Sequence, residues 1–321
     1  MTSMSVRQFY WRDLPKLVRY RHQGLFFDNA LVLTRGPVLV PVGALISYLA
    51  TATGIFTYLC DNDEKPDCPL IGQITHGNGM PFARLVFLAP DAGLESNVLP
   101  ALIEQSLRDI GERGAQHLLA EVEEQAIAFE SLRKVGFAIY SRQRIWRLNA
   151  DPAEEKRPSR WREVVPGDMI SVRSLYSSLV PGMVQQIEPL PKHQLEGLVY
   201  RKGEELIGYA EVKRGSRGIW VQPFFNVDIA ADDLKVCFVE LLAALNARRS
   251  QAVYFCVRSY QSWLENYVED VGAESSPLQA VMVKHLAVSK IVEPSFGLQP
   301  LEGRQPEVTA SITNRSVSNN S

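Results

Sequence analysis

A short pattern occurs twice in this 321-residue chain at a fixed offset. Arg7-Gln8-Phe9-Tyr10, followed two residues on by Asp13-Leu14, returns as Arg162-Glu163-Val164-Val165, followed by Asp168-Met169. The two copies lie 155 residues apart, which is a domain length. A repeat of that size constrains the chain to two copies of one fold. The apolar spacing around it agrees. Residues 6–10 alternate as a strand, and Leu14, Leu17 and Val18 then recur at helical spacing. Strands are expected at 69–75 and 82–88, on either side of the turn Gly77-Asn78-Gly79. Val98, Leu99, Leu102, Ile103, Leu107 and Ile110 mark a helix, and 117–122 a strand. A helix over 124–135 closes at Gly136, where a left-handed cap favours glycine. Strands then cover 137–148.

Residues 149–160 are charged and carry Pro152 and Pro158, and the pattern restarts after them. Strands are expected at 197–202, 206–213 and 218–225, then a helix over 232–248 and a strand at 252–257. A helix over 260–271 stops at Gly272, and a last strand begins at Gln279. Each half thus reads strand, helix, strands, helix, strand, helix, strand. The expected division is a first domain over 1–150, a linker over 151–160, a second domain over 161–288, and a Pro-, Ser- and Asn-rich disordered tail over 289–321.

Charge narrows the partners. The net charge is −2, from 34 basic and 36 acidic side chains, so no overall basic footprint points to nucleic acid. Cys60, Cys68, Cys237 and Cys256 form no CxxC pair and have no histidine at ligand spacing, so reduced structural thiols and no metal are expected. Residues 36–60 carry no charge until the run is broken at Asp61, a length that could span a bilayer. Pro37, Pro41, Gly43 and Gly54 interrupt it, so it reads as a helix over 43–52 and a strand over 54–60, with no membrane partner. No apolar signal segment follows Met1-Thr2-Ser3-Met4, and a cytoplasmic location is the default expectation.

Arg84-Leu85-Val86-Phe87-Leu88-Ala89-Pro90-Asp91 resembles the fourth strand of the GCN5-related N-acetyltransferase (GNAT) family and the residues just after it. Leu132-Arg133-Lys134-Val135-Gly136-Phe137 is similar to the family's leucine-tyrosine-x-lysine-x-glycine-phenylalanine helix ending, and Tyr267–Ala273 matches it more loosely. The resemblance implies an α/β (α+β) fold: two tandem GNAT-like domains, each a mixed, mostly antiparallel sheet flanked by helices. It implies an acyl-CoA-dependent N-acyltransferase that moves an acetyl group from acetyl-CoA to a small-molecule or peptide amine, acting as a monomer or homodimer. In that family the pantetheine arm lies where the fourth and fifth strands splay apart, and backbone amides of the next loop hold the pyrophosphate, as a helix N-terminus can.

By that resemblance Phe87, Leu88 and Ala89 would line the pantetheine, and Gly93, Leu94, Ser96, Asn97 and Val98 the pyrophosphate. The family loop is Gln/Arg-x-x-Gly-x-Gly/Ala. Here Gly93 stands for Gln/Arg, Ser96 for the first glycine and Val98 for the last, and Glu95 adds a negative charge. The second copy of the loop, Ile229-Ala230-Ala231-Asp232-Asp233, has no glycine. The family's acid tyrosine is replaced by Leu132 and Val268; Tyr267 is one residue off, a turn of about 100° on a helix. Glu121 is the candidate general base, with His76 behind it. The degenerate loops and the missing tyrosine support a second reading, a catalytically degenerate GNAT-fold protein that binds a ligand or partner.

Overall fold

The doubled pattern is a doubled structure. The computed structural model describes residues 6–20, 22–36, 54–60, 69–149, 159–192, 194–247 and 251–286. In the first copy Arg7 grips Asp13 with both prongs, Nη1 to Oδ2 at 2.6 Å and Nη2 to Oδ1 at 2.7 Å, and the Tyr10 amide donates to Oδ2 at 3.0 Å. In the second, Arg162 grips Asp168 at 2.7 and 2.8 Å, and the Val165 amide donates at 3.1 Å. A carboxylate at the head of a helix takes up amides left without partners there. A forked guanidinium on the same carboxylate ties the preceding strand to that helix. Both aspartates are buried.

The first half runs β1 Val6–Gln8, α1 Leu14–Tyr20, β2 Leu25–Phe26, α2 Asn29–Arg35, β3 Ile55–Cys60, β4 Leu70–His76, β5 Phe82–Ala89, α3 Val98–Gly111, β6 His117–Glu123, α4 Ile127–Lys134 and β7 Ala138–Asn149. The second runs β8 Arg162–Glu163, α5 Met169–Leu179, α6 Gly182–Ile187, β9 Leu198–Lys202, β10 Glu205–Arg214, β11 Gly218–Phe225, α7 Ala231–Leu245, β12 Ala252–Arg258, α8 Glu265–Asp270, β13 Glu274–Ser275 and β14 Gln279–His285. Gly136 and Gly272 sit past α4 and α8 at φ of 91° and 87°, the left-handed caps expected of them.

These strands join one mixed sheet in the order β1-β3-β4-β5-β6-β14-β7-β12-β11-β10-β9-β8, with β2 on β5 and β13 on β7. The halves exchange strands. β14, the last strand of the second half, lies antiparallel between β6 and β7 of the first, with Met282 opposite Ala120 on one side and Ile139 on the other. β7 then continues past β14 to pair with β12, from Gln143 opposite Arg258 to Asn149 opposite Ala252. Residues up to Leu286 gather into one compact unit. No described helix is long and apolar enough to cross a membrane. The expected helix at 43–52, Cys68, Arg248-Arg249, His193, most of the linker and the tail from 289 lie outside the described residues.

Two helical layers cover one face of the sheet. α3 and α4 bury Leu102, Ile103, Ala128 and Leu132 on Leu85, Leu88 and Leu118. α7 buries Phe238 and Leu241 on Phe225, Phe255 and Val257. On the other face α5 and α6 lay Val172, Val184 and Ile187 against Tyr209, Phe224 and Val281. Burial of such large side chains contributes about 1.5–3 kcal/mol each.

Candidate ligand-binding site

Among the described strands two neighbouring pairs are parallel, and both part before their strands end. β5 and β6 pair from Phe82–His117 to Arg84–Leu119 and then separate. β11 and β12 pair from Gly218–Ala252 to Val221–Phe255 and then separate. These partings are the splayed strands implied by the family resemblance, one in each half.

The first gap is filled by the chain itself. Gln23 to Asn29 runs along β5 toward β6. Asp91 N donates to Gln23 O at 2.7 Å, Leu25 and Phe26 pair with Leu88 and Phe87, and Phe27 N donates to Val86 O at 2.9 Å. Across the gap Glu121 N donates to Phe27 O at 2.9 Å, so one residue bridges both strands. Local sequence explains the fit. Gly24 passes so close to β5 that a Cβ there would stand 2.3 Å from the Phe87 ring. Phe27 turns into the core beneath α3 and α4, while Phe26 turns to the opposite face, its ring centroid 5.0 Å from that of Phe87. Asp28 then caps α2 by accepting from Leu31 N at 3.0 Å.

The sequence-derived cofactor residues lie beside this insertion. Phe87, Leu88 and Ala89 are fully buried, with Phe87 and Leu88 paired to β2. In the following loop Leu94 and Val98 are buried in the core, and Gly93 packs so tightly that a Cβ would meet Leu70 at 2.8 Å. Ser96 Oγ donates to Gly93 O at 2.5 Å, and Asn97 heads α3 without a side-chain cap. The Ala92, Gly93, Leu94 and Ser96 amides donate to Asp91 Oδ1, Pro90 O, Asp91 O and Gly93 O. Those donors serve the loop's own turns.

The second gap is closed by a side chain. Gln261, fully buried in a non-helical turn before α8, donates from Nε2 to Pro223 O at 3.1 Å. Tyr267 stacks on Phe238, centroids 6.3 Å apart and planes 4° apart, joining α8 to α7.

On the face covered by α2, α5 and α6, between the two gaps, lies a cavity of about 500 Å³. Both halves line it. Arg84 enters from β5, Glu121 from β6, Glu188 from the end of α6, Glu211 and Lys213 from β10, and Arg258 from β12. Glu188 is the hub. Its Oε1 accepts from Arg84 Nη2 and its Oε2 from Arg258 Nη2 at 3.0 Å. Burial opposes its charge, but the Arg258 and Arg84 guanidiniums prevail and hold the carboxyl down at about 2. Tyr176 OH donates to Glu188 O at 2.7 Å. Lys213 and Glu211 pair at 2.9 Å nearer the surface, where the Lys213 side chain is 44% exposed.

Glu121, the sequence candidate for general base, reaches this cavity fully engaged. It accepts from Asn29 N at 3.0 Å, Asn29 Nδ2 at 2.8 Å and Arg84 Nη1 at 3.3 Å. Asn29 also donates to Gln279 Oε1, which takes a second bond from Gln143 Nε2, and Cys256 Sγ donates to Gln143. Burial pushes the Cys256 thiol up to about 12, which leaves it a packing group rather than a nucleophile. His76 is turned aside to Met80 O at 2.8 Å. Arg84, Glu188 and Arg258, the core of the cavity, are not legible as a set in the sequence. The available signal is a charged residue inside or at the end of an apolar strand, as in Phe82-Ala83-Arg84-Leu85 and Phe255-Cys256-Val257-Arg258. Among the described residues no cluster of three or more His, Cys, Asp or Glu could hold a metal.

No family model and no curated protein matches the sequence. Solved structures do match. A GCN5-related N-acetyltransferase from Sphaerobacter thermophilus is 10% identical over 88% of this chain and 95% of its own, with a TM-score of 0.54. A tandem GNAT protein from the clavulanic acid biosynthesis pathway is 12% identical over 88% and 98%, with a TM-score of 0.52. At such identity the likeness speaks for the fold. With the doubled Arg–Asp hook and the two parting strand pairs, it shows that this chain carries the tandem GCN5-related N-acetyltransferase fold.

Proposed function

We propose that this chain is a small-molecule-binding GNAT-fold protein whose ligand sits in the central cavity, and that its first half does not hold acyl-CoA between β5 and β6. The insertion of residues 23–29 carries this reading. Pantetheine between those strands would need the bonds that Phe27 makes to Val86 O and Glu121 N. Displacing a buried segment also exposes Phe27 and leaves backbone groups unpaired, each costing about 1–3 kcal/mol. Titration of the full chain with acetyl-CoA by calorimetry tests the reading. No heat is expected up to millimolar cofactor. Micromolar binding, with loss of hydrogen-exchange protection at the Phe27 and Glu121 amides, would overturn it.

The GNAT fold itself supports an acyltransferase role, and one observation favours acyl transfer as the second reading. The central cavity borders both strand gaps, where an amine acceptor would meet a thioester. That reading requires residues 23–29 to leave the first gap, or Gln261 the second. Acetyl-CoA binding that leaves Phe27 protected and is altered by Gln261→Ala would support the second gap as its place.

A further inference from the structure

One pair of side chains belongs to neither gap and does not line the central cavity. The ladder between β6 and the exchanged strand β14 ends with His117 opposite His285. Their Nδ1 atoms stand 3.0 Å apart, and the rings meet edge to face, centroids 4.9 Å apart and planes at 86°. His285 is exposed and His117 half-buried. Main-chain bonds fix this rung at both sides: Leu286 N donates to Gln116 O at 2.9 Å, and His117 N to Pro81 O at 3.2 Å. Two imidazoliums would repel at such a distance. The contact therefore sets one Nδ1–H against one Nδ1 lone pair. A neutral imidazole can carry its proton on either nitrogen. With that shared proton moved to Nε2, both Nδ1 lone pairs are free for one ion.

Metal–imidazole bonds are about 2.0–2.1 Å long. Two such nitrogens at a right angle therefore lie about 2.9 Å apart, and at a tetrahedral angle about 3.3 Å. The spacing of 3.0 Å fits the right angle. Square and tetragonal fields with nitrogen ligands are those of Cu2+ and Ni2+. We infer that His117 and His285 chelate one divalent ion of the Cu2+ or Ni2+ kind through their Nδ1 atoms, with water in its remaining positions. His117 opens a strand of the first half and His285 ends the last strand of the second. The ion thus pins the end rung of the strand exchange. The site is independent of any ligand in the cavity and of acyl-CoA in either gap.

The test uses the full-length protein without a histidine tag, and the chloride salts of Ni2+ and Cu2+. Calorimetry is expected to show at least one of these ions bound at submillimolar concentration. His285→Ala, at an exposed position, and His117→Ala are each expected to weaken that binding about tenfold or more. With Cu2+, electron paramagnetic resonance should show two nitrogen ligands in the wild type and fewer in either variant. An ion held only by the folded chain raises its melting temperature as its concentration rises. Ni2+ should do so for the wild type and leave the melting temperature of His285→Ala unchanged. If His117→Ala fails to fold, the comparison of the wild type with His285→Ala still decides. Binding that is equally strong in the wild type and His285→Ala would place the ion on other groups, such as His22, His76 or His193, and overturn the assignment. No binding of either ion up to millimolar concentration would also overturn it, and leave the pair as a hydrogen bond between two rings.

Discussion

The two halves close the same opening by different means. In the first, main chain fills the gap, and Phe27 satisfies both flanking strands through its own amide and carbonyl. In the second, a single side chain reaches across, and Gln261 bonds Pro223 O while its Oε1 is buried with no partner among the described residues. A backbone insertion supplies donor and acceptor at strand spacing, so it can replace a missing neighbour. Here the side-chain amide reaches one atom. The contrast teaches that the first gap is built shut, whereas the second is held by a bond worth about 1 kcal/mol.

The sharpest way to break the comparison is to separate the halves. Residues 1–150 alone would leave β6 and β7 without β14, and β7 without β12, as bare edges. We expect neither this fragment nor residues 159–321 to give a cooperative thermal transition alone, and we expect the mixture to recover one. Independent cooperative melting of the first fragment would show the exchanged strand to be dispensable, and would favour two self-sufficient domains.

A smaller effect separates the two hooks. Asp13 is held by Arg7, whereas Asp168 is held by Arg162 and also by Arg201, Nε at 3.2 Å and Nη2 at 3.0 Å. Asp168→Asn is expected to cost about 2–3 kcal/mol in urea unfolding, since it removes the charge that two guanidiniums share, one of them, Arg162, half exposed so that water replaces part of its share. Asp13→Asn should cost about 1–2 kcal/mol, because Arg7 and Arg162 are both partly exposed and the difference lies in Arg201, the less exposed second guanidinium on Asp168. The pH dependence follows. Arg162 leads in lowering the Asp168 carboxyl from 3.8 to about 2 against the opposing effect of burial. Its folded pKa lies below the unfolded one, so its stabilisation is complete above about pH 4 and fades as pH falls toward about 2. The wild type and Asp168→Asn should therefore converge in stability on acidification, and a gap that stays constant with pH would show that the charge is not what matters.

The first gap can be strained directly. Gly24→Val places a Cβ 2.3 Å from the Phe87 ring, and fully packed interiors yield to such overfilling at a cost of about 1–3 kcal/mol. The expected outcome is a destabilised chain that exchanges the Phe27 and Glu121 amides faster than the wild type. Unchanged protection would mean that the insertion tolerates what its geometry forbids.

These features were unequally legible in the sequence. The Arg-x5-Asp hook, the Gly136 and Gly272 caps and most strands are local, and each follows from spacing over a few residues. β2 has two residues, too few to show a period, so Leu25–Phe26 and the helix Asn29–Arg35 behind it pass unseen. The strand exchange is invisible for another reason. The short apolar run Ala280–Val283 between polar ends marks a strand but not which neighbours it takes. The cavity is harder still, since Glu188 meets Arg84 from 104 residues away and Arg258 from 70. The cofactor residues inferred from family resemblance stand beside the first gap, but the inserted segment that occupies it has no counterpart in the motif that suggested them.

The second gap gives the mildest prediction. Gln261 contributes one bond to Pro223 O and carries one buried acceptor with no partner among the described residues. The bond contributes about 0.5–1.5 kcal/mol, and the idle oxygen costs a similar amount. A methionine of comparable length removes both, so Gln261→Met should shift stability by less than about 1 kcal/mol, in either direction. The residual term is Pro223 O, which then loses its donor. A loss well above that figure in urea unfolding would mean that Gln261 bonds more firmly than its single contact implies. The two gaps would then be equally well sealed, and the contrast between main-chain and side-chain closure would fall.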